Sequence, residues 1–289
     1  MRTIAFLTSE GVGLAEDDQR LVAPLRQRGF EVIPLVWDGE APTTEPAAIV
    51  VRSCWDYHRK PAAFLGWLDT VERGRTPVWN RPAVLRWNLD KRYLRELTAR
   101  GVTVPRTVFV PQGPAPELAR VLEEQGMTEV VIKPAVSLSA YRTWRSDPDQ
   151  APAHQDEFAA SLAEGTVLVQ AFVPEVLTEG ELSLVFIERR YSHAVRKRPR
   201  SGDFRVQVDH GGTREAAAPP AWVIERAARC LGTIPVPLLY ARVDGVVVGE
   251  EFVVMEMELL DPVLFLEFAA GAADGIADAI ATRLRLGAW

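Results

Sequence analysis

Cysteine and histidine are scarce in this 289-residue chain. The two cysteines, Cys54 and Cys230, lie far apart without metal-ligand spacing, which excludes a disulfide framework and a zinc site. Such usage predicts a reducing cytoplasm. The four histidines show neither Ser-His-Asp nor metal spacing. Long apolar runs are missing too: none approaches the ~20 residues of a membrane helix, and the opening MRTIAFLTSE is too short a run for a signal peptide. There is no internal repeat. There is also no basic block, and the net charge is −6. The densest basic cluster, Arg196-Lys197-Arg198-Pro199-Arg200, suits a phosphate or carboxylate better than a polyanion. Nucleic acid and membrane are therefore not expected partners. A hydrophobic content of 47% and a charged content of 25% describe an ordinary globular protein with room for two or three subdomains.

What is present begins as a small α/β unit. Thr3 to Thr8 reads as a buried strand, followed by a helix opened by Asp17 or Asp18 and closed by Gly29. Pro24 inside that pattern predicts a kink or a shorter helix. Phe30 to Val36, Ala48 to Val51 and Pro77 to Trp79 read as further strands, with a helix at Phe64 to Val71. Gly11-Val12-Gly13 is not a dinucleotide fingerprint, because the third glycine is replaced by Glu16. Arg52-Ser53-Cys54-Trp55-Asp56-Tyr57 follows a buried strand, and ligands of open α/β sheets bind beyond the carboxyl ends of strands. Arg52 is thus a candidate for holding a substrate carboxylate, with a packed loop and surface arginine as the alternative.

Asn88 reads as the N-cap of a helix carrying Lys91, Tyr93, Leu94 and Leu97 and stopped by Gly101. A strand at Val104 to Val110, a helix at Pro116 to Gln125 and a strand at Glu129 to Pro134 follow. Lys133 ends that last strand, and burying its ammonium is costly unless an anion meets it. Lys91, standing alone, reads better as a solvated helix lysine. Next come the small-residue loop Ser137-Leu138-Ser139-Ala140, a helix at Phe158 to Leu162 and a strand at Val167 to Phe172. Strands Glu181 to Glu188 and Tyr191 to Lys197 form a hairpin, and Phe204 to Val208 reads as a short alternating strand. A helix at Pro219 to Cys230 leads into two β-rich runs joined across Gly245 to Glu251. Glu256 and Glu258, two apart, point to one face of the second run, with Asp244 near the end of the first. Carboxylates so placed repel unless cations relieve them, and hard oxygens suit Mg²⁺ bridging phosphates. A strand with one solvent face is the alternative.

The succession of Asn88-Leu89-Asp90-Lys91, Val131-Ile132-Lys133-Pro134, Val169 to Glu175 with Gly180-Glu181, Phe204-Arg205-Val206-Gln207 with Gly211-Gly212, and Asp244 with Glu256-Met257-Glu258 and Pro262 resembles the glutathione synthetase-like members of the ATP-grasp superfamily over residues 88 to 268. Val51 to His58, Arg86 to Leu94 and Tyr191 to Pro199 resemble its O-ureido-serine cyclo-ligase subgroup, of cycloserine biosynthesis. The resemblance implies an α/β (α+β grasp) fold: a small parallel pre-ATP-grasp domain at 1–87, a lid and linker subdomain at 88–168 and a catalytic subdomain at 169–289. It implies ATP and Mg as cofactors, with Lys91 and Lys133 bracketing the polyphosphate as point charges. It further implies adenine at the hinge Gln170, Ala171, Phe172 and Val173, ribose at Glu181, and Arg205 beside the transferred phosphoryl group, so that Arg205 and Lys133 are the catalytic candidates. Asp244, Glu256 and Glu258 are the implied metal ligands, and Arg52, Lys197 and Gln207 the substrate contacts. Glu258 stands where asparagine is usual, Gln207 likewise, and the lid loop lacks its usual glycines. The implied activity is a carboxylate-amine ligase working through an acyl phosphate on a small amino-acid-like substrate, including an intramolecular cyclo-ligase. A nucleotide-binding sensor with little turnover is the alternative, and a homodimer is the implied assembly.

Overall fold

The computed structural model describes residues 1–287. They build three β-sheets with helices packed between and around them, the mixed α/β class expected. The first sheet holds β1 (Arg2–Thr8), β2 (Phe30–Val36), β3 (Ala48–Ser53) and β4 (Val78–Trp79) in the order β2-β1-β3-β4, all parallel. A sheet covered on both faces needs strands apolar on both sides, and β1 shows the reason. Ile4 and Phe6 join Leu21 and Leu25 of α1 (Glu16–Gln27), while Ala5 and Leu7 join Phe64 and Leu68 of α2 (Pro61–Arg73). Each fully buried leucine or phenylalanine contributes about 1.5–3 kcal/mol.

Two expectations about α1 change. Pro24 does not shorten the helix, which runs on to Gln27 because Leu21 and Leu25 on either side of the proline are pinned in the core. Asp17 and Asp18 do not cap it, since Ala15 holds the cap position and both carboxylates turn inward.

Helices α3 (Pro82–Asn88) and α4 (Tyr93–Ala99) lead into the second sheet. It orders β5 (Thr107–Val110), β6 (Val130–Pro134), β7 (Trp144–Ser146) and β8 (Val167–Ala171) as β5-β8-β6-β7, with antiparallel pairs throughout. Its core comes from α5 (Leu118–Gln125) and α6 (Gln155–Glu164), through Leu118, Leu122, Phe158 and Leu162.

A short α7 (Glu175–Thr178) precedes the third sheet of β9 (Glu181–Ile187), β10 (Arg190–Arg198), β11 (Thr213–Ala217), β12 (Tyr240–Val248) and β13 (Glu251–Glu258). Its order, β11-β10-β9-β12-β13, is antiparallel throughout. One face packs on α8 (Ala221–Gly232) through Val223, Ala227 and Leu231. The other meets α9 (Ala272–Leu286), whose Ile276 and Ile280 share a core with Ile4, Phe6 and Val185 and so weld the first unit to the third sheet.

Two asparagines make the same junction polar and specific. Asn80 donates to the carbonyls of Tyr240 (3.0 Å) and Leu259 (2.7 Å) and accepts from Leu239 N–H (2.7 Å). Asn88 is no N-cap. It ends α3, donates to Met257 C=O and accepts from Leu259 N–H, both at 2.7 Å, and thereby fixes the end of β13.

Candidate active site

A cavity of about 370 Å³ opens between the second and third sheets, with Trp55 of the first unit among its lining residues. Its hinge wall is the chain leaving β8. The Gln170 amide is committed to Thr107 Oγ1 at 2.9 Å, so the polar groups left at the hinge are backbone. The Phe172 carbonyl and the Val173 N–H have no hydrogen-bond partner among the described residues. The Phe172 ring is held edge-on to Phe204 at 6.2 Å, with the Arg145 guanidinium 4.0 Å above it.

Two lysines reach the cavity from different elements. Lys91 does not ride in a helix. It sits in the tight turn between α3 and α4, where its Nζ donates to Ser137 C=O at 2.6 Å and pairs with Glu256 Oε1 at 3.0 Å. Lys133 stands at the end of β6, and its ammonium makes no hydrogen bond or ion pair among the described residues. Burial pushes its ammonium below the ordinary lysine range and neighbouring Lys91 adds to this, while Glu256 and Glu181 offset part of it. An unpaired, half-desolvated cation lining a cavity is costly until an anion meets it.

The acidic wall belongs to β9, β10, β12 and β13, paired so that Asp244 faces Ser183 on one side and Glu256 on the other. Asp244 is buried and saturated. Its oxygens accept from Ser183 Oγ at 2.7 Å, Lys197 Nζ at 3.0 Å and Arg242 Nε at 2.9 Å. Burial alone would raise its carboxyl, but Arg242 and Lys197 overcome this and hold it below the usual range. Lys197 also pairs with Glu181 Oε1 at 2.6 Å, tying the expected ribose residue and the expected substrate lysine into one buried network. Glu258 pairs with Arg242 through Oε1 alone, and Glu256 with Lys91 through Oε1 alone. Burial first, then the charges of Glu256 and Asp244, push Glu258 up to about 7 against the pull of Arg242.

These donors bear on the Mg²⁺ expectation. The described residues contain no ready-made group of three or more metal-ligating side chains. Glu256 and Glu258 fit a divalent ion that takes most of its shell from phosphate and water, because each lines the cavity and keeps Oε2 free of partners among the described residues. Asp244 fits only if Lys197 releases it.

The expected strand at Phe204 to Val208 is absent. The Asp203 carboxylate accepts from the backbone N–H of Phe204 (2.8 Å) and Arg205 (3.0 Å), folding the segment back on itself before it can pair with a neighbour. Gly212 closes this loop, since a Cβ there would stand 2.2 Å from Val206 O. Arg205 lines the cavity but shares its guanidinium with Asp203, Nη2 to Oδ2 at 2.8 Å. Gln207 Oε1 is buried with no hydrogen-bond partner.

Arg52 lies outside the large cavity, 3% exposed, with Nε on Asp18 at 2.7 Å, Nη2 on Asp17 at 3.4 Å and Nη1 on Pro262 C=O at 3.3 Å. It holds the first unit to the segment after β13 and has no fork left for a substrate carboxylate. A smaller side cavity of about 160 Å³ does reach it, sharing Trp55, Arg214 and Val263 with the large one.

The glycine-poor lid reaches its conformation nonetheless. Ser139, Ala140 and Arg142 take the left-handed backbone at φ 48°, 56° and 47°, a region glycine occupies without cost. The loop is held by Lys91 on Ser137, by His210 Nε2 on Ser139 O at 3.2 Å, and by Tyr141 against the His58 ring at 4.9 Å.

Two cavity residues escaped the sequence reading. Arg242, two before Asp244, was detectable only as a cation on the same strand face as that expected metal ligand. Asp261, buried just beyond β13, gave no signal in the sequence.

The family model for the N-terminal domain of D-cycloserine synthetase DcsG matches residues 4–80. Over its whole length the chain is similar to the cycloserine biosynthesis protein DcsG of Streptomyces lavendulae, 34% identical over 98% of this chain and 99% of that one. The crystal structure of D-cycloserine synthetase DcsG superimposes with a TM-score of 0.87 at 29% identity, covering 98% of this chain and 99% of that one. The D-alanine–D-alanine ligase of Bacillus anthracis shares the fold, with a TM-score of 0.71 at 15% identity over 99% of both chains. The chain belongs to the DcsG family of ATP-grasp ligases.

Proposed function

We propose that the protein is an ATP- and Mg²⁺-dependent carboxylate-amine ligase that closes a ring within an amino-acid derivative. The observation that carries this reading is the unpaired Lys133 ammonium, set in one cavity with the free Oε2 atoms of Glu256 and Glu258 and the open backbone groups of Phe172 and Val173. The similarity to the cycloserine biosynthesis protein DcsG supports an amino-acid-like substrate.

On this reading the hinge at 170–173 takes the adenine edge and Glu181 the ribose hydroxyls. Lys91 and Lys133 bracket the polyphosphate. A substrate carboxylate oxygen attacks the γ-phosphorus and ADP departs, leaving an acyl phosphate beside Arg205. A nitrogen of the same molecule then attacks the acyl carbon and inorganic phosphate leaves. Glu256 and Glu258 would hold Mg²⁺, joined by Asp244 once Lys197 turns away, and the ion would supply charge neutralisation for the transferred phosphoryl group. Lys197 and the orphaned Gln207 carbonyl contact the substrate. The chain's own contribution is positioning and charge neutralisation. Residues 1–87, 88–168 and 169–289 are proposed as the three units of this machine.

The test is ADP and phosphate release with ATP, Mg²⁺ and a panel of D- and L-amino-acid derivatives, with mass detection of product. The expected product is the substrate less one water. A stable phosphorylated hydroxyl product, or no release with any compound, overturns the reading. Glu256→Gln should abolish Mg²⁺-dependent turnover and leave the fold intact; unchanged activity would remove the metal assignment.

A further inference from the structure

Asp261 is a buried carboxyl without a partner. It lines the large cavity, is 4% exposed, and its Oδ2 is sealed from solvent with no hydrogen bond; none reaches Oδ1 among the described residues. Local backbone does not serve it. The next residue is Pro262, which has no N–H, and the N–H groups of Leu264 and Leu266 are taken by Asp17 at 2.6 Å and 2.8 Å.

The cations whose fields reach it are Arg52, Arg242 and Lys91, and all are engaged elsewhere. Arg52 holds Asp17, Asp18 and Pro262 C=O. Arg242 holds Asp244, Glu258 and Val263 C=O. Lys91 holds Ser137 C=O and Glu256.

A desolvated carboxyl with no donor is costly, and burial together with the neighbouring Glu258 charge pushes Asp261 well above the ordinary carboxylate range. A cationic, donor-rich group entering the cavity would take the place of that proton, and Glu256 and Glu258 add further acceptors on the same wall. A divalent ion is the poorer fit, since it demands an octahedral oxygen shell that normally retains several waters. Here no group of three or more metal-ligating side chains exists among the described residues, and with Oδ2 sealed only Oδ1 is left to meet a ligand. A primary ammonium carries three N–H donors and needs only one carboxylate at its centre.

We propose that Asp261 receives the amino group of the amino-acid substrate and sets the enzyme's preference for amine-bearing compounds. The assignment rests on the ligase reading above, which supplies an amino-acid derivative as substrate.

D-Cycloserine and isoxazolidin-3-one, which differ only in that amino group, are the probes. Each is titrated calorimetrically into the full chain with ADP and Mg²⁺ present. Wild type should bind the amine tighter by about tenfold to a hundredfold, the worth of one charge-assisted hydrogen bond. Asp261→Asn should bring the two affinities together, chiefly by weakening the amine, and Asp261→Glu should keep part of the preference, which separates lost recognition from a damaged fold. Four results overturn the proposal: no preference in wild type, an unchanged preference in Asp261→Asn, equal weakening of both compounds, or an effect confined to the Mg²⁺ dependence of ADP binding. ADP affinity, measured alongside without either probe, reports on the ligase reading alone.

Discussion

Replacing Asn88 by aspartate separates two roles that the residue can have. As an N-cap, aspartate would serve as well as asparagine, and stability would change by a few tenths of a kcal/mol. As the bridge to β13, aspartate keeps the acceptor for Leu259 N–H but loses the donor to Met257 C=O, and sets a carboxylate against that carbonyl. A buried acceptor left unpaired costs about 1–3 kcal/mol, and an uncompensated buried charge raises the total to about 3–5 kcal/mol. At about 2–4 °C per kcal/mol for a chain of this size, the melting temperature should fall by roughly 6 °C or more. Met257 lies between Glu256 and Glu258, so Mg²⁺-dependent turnover should weaken with it. Urea and thermal unfolding of the two proteins side by side make the measurement. Agreement within about 0.5 kcal/mol, the ordinary scatter of surface changes, would refute the bridging role.

Other consequences follow from the site. Glu258 has its carboxyl raised from 4.5 to about 7, so between those values the folded state holds the extra proton and stability falls as pH rises through the window; Glu258→Gln should flatten the melting temperature across pH 4.5 to 7, and an unchanged slope would contradict the assignment. Ala140 sits at φ 56°, where a side chain costs about 1–2 kcal/mol, so Ala140→Gly should stabilise by up to about 1 kcal/mol after glycine's entropy loss. The β-branched Ala140→Val should destabilise, and chemical denaturation of the pair reads the difference.

Strands of the first sheet were legible because a parallel sheet buried on both faces demands continuous apolar runs, which Thr3 to Thr8 and Ala48 to Val51 are. The hairpin of β9 and β10 was legible from its apolar runs, although its turn is carried by Glu188 and Arg189 in left-handed conformations, which no glycine announces. What the sequence hid was side-chain chemistry acting on backbone. Asp203 competes for the N–H groups that a strand at Phe204 would have used. Asn88 serves a strand 169 residues away instead of its own helix. β11, Thr213–Ala217, is an exposed edge strand with no apolar face to betray it. In the site, residue types and chain order brought Lys91, Lys133, Glu181, Asp244, Glu256 and Glu258 to one cavity. The pairing of Arg242 with Asp244 and Glu258 depends on register and was not readable from spacing.

On the ligase reading, Lys133 is the empty half of an ion pair whose other half is a polyphosphate. Titration of a non-hydrolysable ATP analogue with Mg²⁺ into wild type and Lys133→Met tests it most directly. Affinity should fall by about tenfold to a hundredfold, as expected for a lost charge-assisted hydrogen bond, while the unfolding midpoint is unchanged or higher because an uncompensated cation has gone. Equal affinity in the two proteins would contradict the account.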